Sequence, residues 1–254
     1  MVLESFHLNG KNALVTGSRR GLGAAIALAL AQAGANVGCH GKTADRGAIA
    51  ESIRQTGRKS FYMAGDLSDP KVQSDLIAGT IEEFGSIDIL VNNAGAIRRA
   101  PALEYPQDYW DELIAVNLTA VFRLSQLAAQ HMAKRAAKGK ILNIASLLSF
   151  QGGITVPAYA AAKGGVVQLT KALANEWASK AINVNAIAPG YMVTDNTTAL
   201  RNDPVRSRQI LERIPAGRWG EAEDIAGAAV FLCSSASDYI HGHVLVVDGG
   251  WLAR

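Results

Sequence analysis

Short apolar runs alternate with longer amphipathic segments from one end of the 254-residue chain to the other. The runs are rich in Val, Ile, Leu and Ala and are bounded by Gly, Asn, Asp or Pro, which is typical of strands buried on both faces. They predict strands at residues 12–16, 36–40, 60–64, 87–92, 140–146, 182–188 and 244–248. The segments between them have helical spacing, as at residues 24–33, 48–56, 73–84, 108–135, 159–179 and 222–233.

Strands that alternate with helices predict a parallel sheet with helices on both faces and right-handed crossovers. No Pro/Ser-rich linker, low-complexity tract or internal repeat divides the chain. We therefore predict an α/β fold: a single doubly wound Rossmann domain over residues 1–254 with a seven-stranded parallel sheet. Ligands of such sheets bind beyond the carboxyl ends of the strands. The polar segment at residues 191–215 predicts a loop with a short helix that forms a lid over this edge.

Composition narrows the class of function. Hydrophobic residues make up 49% of the chain, enough for a large core, and the formal net charge is only +3. No Lys/Arg tract is present, which argues against a nucleic-acid partner. The N-terminus has no signal-peptide pattern, and no apolar stretch approaches the ~20 residues of a membrane span, so we expect a cytoplasmic protein without a membrane partner. The cysteines and histidines show no metal-ligand spacing, so we expect no metal.

A glycine-rich segment follows the first predicted strand. Gly17, Gly21 and Gly23 lie between that strand and a predicted helix, which is the context of a dinucleotide-binding loop. The glycines allow a tight turn and close approach to a pyrophosphate, and the helix N-terminus offers free N–H groups to it. The candidate cofactor-binding residues of this loop are Thr16, Gly17, Ser18, Arg19, Arg20, Gly21, Leu22 and Gly23.

Tyr159 and Lys163 are four residues apart in a predicted helix, separated by three alanines. Residues with this spacing share one face of a helix, so the ammonium should lie beside the phenol and lower its pKa. Ser146 ends the predicted fifth strand, where its hydroxyl is available to a substrate carbonyl. Together with the glycine loop, these side chains indicate redox chemistry between a carbonyl and an alcohol.

Three further motifs lie at Asn92-Asn93-Ala94-Gly95, at Asn117 and at Pro189-Gly190. With the glycine loop, Ser146 and Tyr159-x3-Lys163, they occur in the order of the short-chain dehydrogenase/reductase family, which the chain resembles from Gly10 to Gly250. A narrower resemblance is to members that act on keto-deoxy sugar acids. It rests on residues 94–99, 144–153, 185–192, 213–220 and 248–254.

The family resemblance implies reversible hydride transfer between a nicotinamide cofactor and a ketone or secondary alcohol. The narrower one implies a small sugar-acid substrate, with 2,5-diketo-3-deoxygluconate reduced to 2-keto-3-deoxygluconate. In the implied mechanism Tyr159 is the general acid of reduction and the base of oxidation, and Lys163 stabilises its phenolate. Ser146 bonds the carbonyl oxygen, and Asn117 matches the position that holds a water near the lysine.

The resemblance also implies further cofactor contacts and an assembly. Asn93, Ala94 and Gly95 would meet the adenosine ribose, and Asp66 and Leu67 the adenine. The nicotinamide side would be held by Ile187, Pro189, Gly190 and Thr194. Family members are usually tetramers, so a homotetramer is expected, and Arg254 is a candidate to reach a neighbouring subunit's site.

The charge at the end of the second strand bears on NAD against NADP. An NAD site needs an acidic residue there, whereas a basic one accommodates the 2′-phosphate. The segment from Val37 to Thr43 contains His40 and Lys42 but no acid, and the first carboxylate, Asp45, comes too late. Arg20 and Lys42 are candidates to pair with a phosphate. The charges favour NADP(H) over NAD(H), although the narrower group often uses NAD(H).

Candidates for substrate binding follow the Asn-Asn-Ala-Gly motif. Arg98 and Arg99 suit a carboxylate, and Arg98 is the predicted contact; Gln151, Tyr191, Met192 and Trp219 are candidate pocket walls. A 3-oxoacyl thioester reductase or a polyol dehydrogenase would keep the same chemistry with another substrate. A non-catalytic nucleotide-sensing module is the remote alternative, because sensing requires none of Ser146, Tyr159 and Lys163.

Overall fold

The computed structural model describes residues 1–44 and 48–254, so Asp45 lies outside the described residues. The seven strands form one parallel sheet in the order β3-β2-β1-β4-β5-β6-β7. They are β1 Asn12–Val15, β2 Asn36–Gly41, β3 Ser60–Ala64, β4 Ile89–Asn92, β5 Gly139–Ile144, β6 Ile182–Pro189 and β7 Val244–Val247. All seven predicted strands are present, with ends shifted by no more than two residues, and the predicted fold class is confirmed.

The helices cover both faces of the sheet. They are α1 Gly21–Gln32, α2 Ala48–Arg54, α3 Pro70–Phe84, α4 Gln107–Ile114, α5 Ala120–Lys134, α6 Pro157–Trp177, α7 Thr198–Asn202, α8 Pro204–Leu211 and α9 Glu223–Cys233. Side chains of β1 alternate between the two layers, as expected for a strand buried on both faces. Ala13 and Val15 join one core cluster with α1 and α9, whereas Leu14 joins the other with α3, α5 and α6.

The helix predicted at residues 108–135 is interrupted. A π-helical turn, Ala115–Thr119, separates α4 from α5, and Asn117 lies within it, fully buried. The helical spacing of apolar residues continues through this turn, so it gives no signal of the interruption. Turns of this kind occur often at functional sites because they rearrange the local hydrogen bonds of the helix.

The whole helical run Gln107–Lys134 is long and apolar enough to cross a membrane by length and composition, with a window of mean hydropathy 1.2. This contradicts the expectation that no stretch approaches a membrane span. Core helices of globular domains pass the same test. Here α5 packs against α3, α4 packs against α6, and 44% of the window is buried inside the protein.

The segment after β6 contains more structure than predicted. A 3-10 turn, Asp195–Thr197, is followed by two short helices, α7 and α8, rather than one. Asp203 begins α8 as a side-chain cap, accepting from the N–H groups of Val205 and Arg206. Ile210 and Ile214 then pack against Leu147 and Trp251, which joins the segment to the sheet and to the C-terminus.

Candidate active site

A cavity of about 1180 Å³ lies at the carboxyl edge of the sheet, between the glycine loop and the segment after β6. This is the edge at which doubly wound sheets bind ligands. The predicted site residues line the cavity except for Thr16, Ser18, Asn117, Arg98 and Trp219. Ile187, implied on the nicotinamide side, is fully buried in the core beneath it.

The glycine loop is fastened to the end of β4. The Thr16 hydroxyl accepts from the N–H groups of Asn93 and Ala94, each at 3.1 Å. The Asn93 side-chain amide donates in return to the carbonyls of Thr16 at 2.9 Å and Gly17 at 3.0 Å. A Cβ added at Gly23 would overlap that amide and the Gly17 carbonyl. Thr16 therefore acts from beneath the cavity, by shaping the loop.

Ser18 and His40 fasten the loop to β2. Ser18 is fully buried, and its hydroxyl accepts from the His40 N–H at 3.0 Å. The His40 ring accepts from the Gly17 N–H through Nδ1 at 3.3 Å, and Nε2 lies 3.0 Å from the Gly65 carbonyl. Burial lowers the pKa of His40, so the ring is neutral, with Nε2–H as the donor. The bonds of His40 shape the loop, although its surface also lines the cavity.

The start of α1 fits a dinucleotide. The helix begins at Gly21, and Arg20 before it makes no capping bond with its side chain. A Cβ at Gly21 would meet only the Thr194 methyl, at 3.8 Å, so the surface there is open. Free N–H groups at an uncapped helix N-terminus bind pyrophosphate well.

Three cations line the cavity near the start of α1 and the end of β2. Arg19 donates to the Thr43 hydroxyl at 2.9 Å, just beyond β2. Arg20 pairs instead with Asp195 at 2.7 Å, and Lys42 pairs with Asp66 at 2.6 Å. Bonds from Lys42 and Ser68 lower the pKa of Asp66 to about 2. The sequence did not indicate these two ion pairs or the role of Thr43, which directly follows Lys42.

Lys163 is buried on α6, with 3% of its surface exposed. Its ammonium donates to the Ile144 carbonyl at 2.6 Å and lies 5.8 Å from the centre of the Tyr159 ring. Burial lowers the pKa of Lys163 to about 8. The two side chains share one helix face, as the spacing predicts.

The predicted lowering of the Tyr159 pKa is wrong for the protein without ligands. Burial raises this pKa, and it outweighs the opposite effects of the Ser146 hydrogen bond and the Arg99 charge. The reason is geometric, because the Lys163 ammonium is directed at the main-chain carbonyl of Ile144.

Ser146 follows β5 by two residues and stands at the start of a 3-10 turn, where its hydroxyl accepts from the Leu148 N–H at 3.2 Å. Its own N–H donates to the Ser149 hydroxyl, which in turn donates to the Lys163 carbonyl at 2.7 Å. Ser149, which the sequence did not single out, therefore connects the end of β5 to the helix that carries Tyr159 and Lys163.

The Asn117 side chain is bonded at both ends to one residue. Oδ1 accepts from the Ala96 N–H and Nδ2 donates to the Ala96 carbonyl, each at 2.9 Å. A Cβ at Gly95 would lie 3.1 Å from Asn117 Oδ1 and 3.8 Å from Lys163 Nζ, so the three residues meet beneath the cavity. The side-chain amide thus holds the loop after β4.

Arg98, the predicted substrate contact, is not among the residues that line the cavity. Arg98 makes a two-bond pair with Glu112, at 2.9 and 3.1 Å, and lies over the Tyr109 ring, and Glu112 itself lines the cavity. Arg99 lines the cavity instead and donates to the Asn196 carbonyl at 3.3 Å. Adjacent loop residues point in different directions, so Arg99 takes the position expected of Arg98. Three more arginines line the cavity from the segment after β6, namely Arg201, Arg206 and Arg213.

Aromatic rings form the far wall. Tyr191 packs against Trp251 at 4.7 Å and against Trp219 at 5.6 Å, measured between ring centres. Gln151 lines the cavity and accepts weakly from Trp251 Nε1 at 3.4 Å. Met192 is also in the wall, whereas Trp219 supports Tyr191 from behind. Arg254 bonds within its own chain, to the Glu212 and Arg213 carbonyls.

The glycine loop, the Ser146–Tyr159–Lys163 set and the sheet order define a nicotinamide-dependent oxidoreductase. Residues 17–252 match the family described as enoyl-(acyl carrier protein) reductase, and the chain belongs to the short-chain dehydrogenase/reductases. It is an NAD(P)-dependent oxidoreductase that acts on CH–OH groups.

Its relatives are named for sugar acids. The chain is similar to the 2-dehydro-3-deoxy-D-gluconate 5-dehydrogenase of Escherichia coli, with 52% identity over the full length of both. A putative 2-deoxy-D-gluconate 3-dehydrogenase of Agrobacterium tumefaciens with bound NADP has 54% identity, a TM-score of 0.91 and covers 98% of this chain and 99% of its own. A gluconate 5-dehydrogenase of Burkholderia cenocepacia in complex with NADP and tartrate has 40% identity, a TM-score of 0.95 and full coverage of both chains.

Proposed function

We propose that this protein reduces 2,5-diketo-3-deoxygluconate to 2-keto-3-deoxygluconate, reversibly and with NADP(H). The observation that carries the proposal is the charge of the cavity, where Arg99 lies beside Tyr159 and three arginines of residues 201–213 line the same space. A carboxylate is the natural partner of an arginine fork. The names of the relatives support the same class of substrate.

Each candidate catalytic residue has a defined part in this proposal. The bound cofactor supplies or accepts the hydride. Tyr159 gives a proton to the substrate oxygen in reduction and takes it back in oxidation. Ser146 donates a hydrogen bond to the same oxygen, where negative charge develops. Lys163 stabilises the phenolate of Tyr159. Asn117 holds the loop after β4, and the main chain of its π-helical turn is the candidate position for a water that returns protons to Lys163.

The cofactor preference follows from the charges around the end of β2. Arg19 and Thr43 lie together just beyond that strand, Lys42 is adjacent, and β2 itself carries no carboxylate. These groups suit a 2′-phosphate. Neighbouring structures with bound NADP support this preference. Pyrophosphate would bind at the start of α1, and Asp66 and Leu67 would meet the adenine.

An acyl thioester is the main competing substrate. The description of the matching family names an acyl-carrier-protein reductase. A long acyl chain requires an apolar channel, whereas here the distal cavity combines Tyr191 and Trp251 with Arg99, Arg201 and Arg213. The mixture favours a short polyhydroxylated acid, whose hydroxyls and carboxylate find partners there.

Initial rates with the purified protein test the proposal. We expect turnover of 2,5-diketo-3-deoxygluconate with NADPH at a higher kcat/KM than with NADH. Turnover of a 3-oxoacyl thioester or a polyol, with no turnover of the sugar acid, would contradict the proposed substrate. The homotetramer, the cytoplasmic location, the single domain and the lid role of residues 191–215 stay predictions.

A further inference from the structure

An ion pair crosses the mouth of the cavity. Arg20 stands just before α1, and Asp195 begins the 3-10 turn after β6; Arg20 Nη1 lies 2.7 Å from Asp195 Oδ2. Both side chains are about two-thirds exposed, at 67% and 65%. Exposed pairs of this kind are weak and exchange partners readily.

Arg19 and Arg20 are adjacent in the chain but have partners of different charge. Arg19 rests on the neutral hydroxyl of Thr43, so its charge is available to an incoming anion. Arg20 has a carboxylate partner. A carboxylate and a phosphate present similar oxygen acceptors to a guanidinium. Asp195 therefore occupies Arg20 in the way that a phosphate would.

We propose that Asp195 determines cofactor specificity through Arg20, by competing with the 2′-phosphate of NADP(H) for its guanidinium. This inference rests on the proposed function. A 2′-hydroxyl makes no such demand, so NAD(H) binds with the Arg20–Asp195 pair intact. NADP(H) must break the pair or share Arg20 with it. Arg19, Arg20 and Lys42 favour NADP(H) over NAD(H), and Asp195 reduces this difference in affinity.

The Lys42–Asp66 pair has the same form but is a poorer test. Asp66 is a candidate adenine contact and is also bonded to Ser68. Its substitution would therefore change the binding of both dinucleotides. Asp195 offers a cleaner substitution because, among the described residues, its other hydrogen bond is a main-chain one within its own 3-10 turn, from the Thr198 N–H to the Asp195 carbonyl.

Fluorescence titration of NADPH and NADH into the full chain tests the inference. We expect Asp195→Asn to lower the Kd of NADPH by about two- to fivefold, in keeping with an exposed pair, and to leave that of NADH unchanged. Arg20→Ala should weaken NADPH alone, and adding Asp195→Asn to Arg20→Ala should have no further effect. Asp203→Asn is the matched control, because it removes one negative charge from the same segment and its side-chain oxygen still caps α8.

The outcomes separate the alternatives. Equal changes for NADPH and NADH, or an unchanged Kd for both, would overturn the role of Asp195 in discrimination. An equal effect of Asp203→Asn would overturn it as well, because the cause would then be general charge. If the unsubstituted protein binds neither dinucleotide, the proposed function itself is wrong, and this inference is overturned with it.

Discussion

The two ends of the cavity are built in different ways. At the catalytic end, Lys163 and Asn117 are buried and bonded to main-chain groups of Ile144 and Ala96. Around the start of α1 and the end of β2, Arg20 and Lys42 are exposed and paired with other side chains. Buried bonds to the main chain fix a position, whereas exposed ion pairs exchange at little cost. In the proposed function, the bonds are therefore fixed where proton transfer needs fixed geometry and exchangeable where the cofactor is selected.

Removing the phenol hydroxyl should have the largest effect at the catalytic end. We expect Tyr159→Phe to reduce kcat by about 10²- to 10⁴-fold, because the proton donor is lost. The NADPH Kd should stay within about twofold, since the cofactor phosphates lie elsewhere. Steady-state rates and a fluorescence titration measure the two quantities. Retained turnover would contradict the catalytic role.

The buried charge of Lys163 should appear in stability. Its pKa is about 8 in the folded protein and ordinarily 10.5, so the unfolded chain binds this proton more tightly. The stability that depends on this group is lowest below pH 8 and rises as the pH increases from about 8 to 10.5. Lys163→Met should abolish that rise. The difference between variant and unsubstituted protein should therefore change by about 3 kcal/mol over this interval.

Urea denaturation without cofactor at pH 7, 8, 9 and 10 checks this expectation. Lys171→Met, at an exposed position of the same helix, is the control that removes an equal charge. Parallel pH profiles for Lys163→Met and the unsubstituted protein would show that burial does not penalise the ammonium.

The two adjacent arginines give the smallest expected effect. Arg99→Ala should raise KM for the sugar acid by about 10- to 100-fold, the range for a hydrogen bond to a charged group. Arg98→Ala removes the same charge one residue away but loses only the exposed pair with Glu112, so its KM should change by less than about threefold. A larger effect at Arg98 would restore the contact predicted from the sequence.

The fold was predictable because β1, β4, β5 and β6 are buried along their whole length and appear in the sequence as short, mainly apolar segments between turn residues. The residues around the cavity were predictable because their motifs directly follow these strands, at the sheet edge where ligands bind. The π-helical turn was not, because apolar spacing continues across it. The orientations of Arg98 and Arg99 and the pairing of Arg20 with Asp195 depend on how loops distant in sequence meet, which periodicity does not encode.

The bond between Thr16 and Asn93 has a consequence for how the protein is made. These partners are 77 residues apart in sequence. At about 5–20 residues per second, about 4–15 s of synthesis separate them. The glycine loop leaves the ribosome early and can bond to β2 soon afterwards, but it gains its support from Asn93 only after β4 has emerged and paired with β1. The complete dinucleotide site therefore forms late in synthesis. A bound dinucleotide stabilises the completed protein rather than guiding the first folding steps.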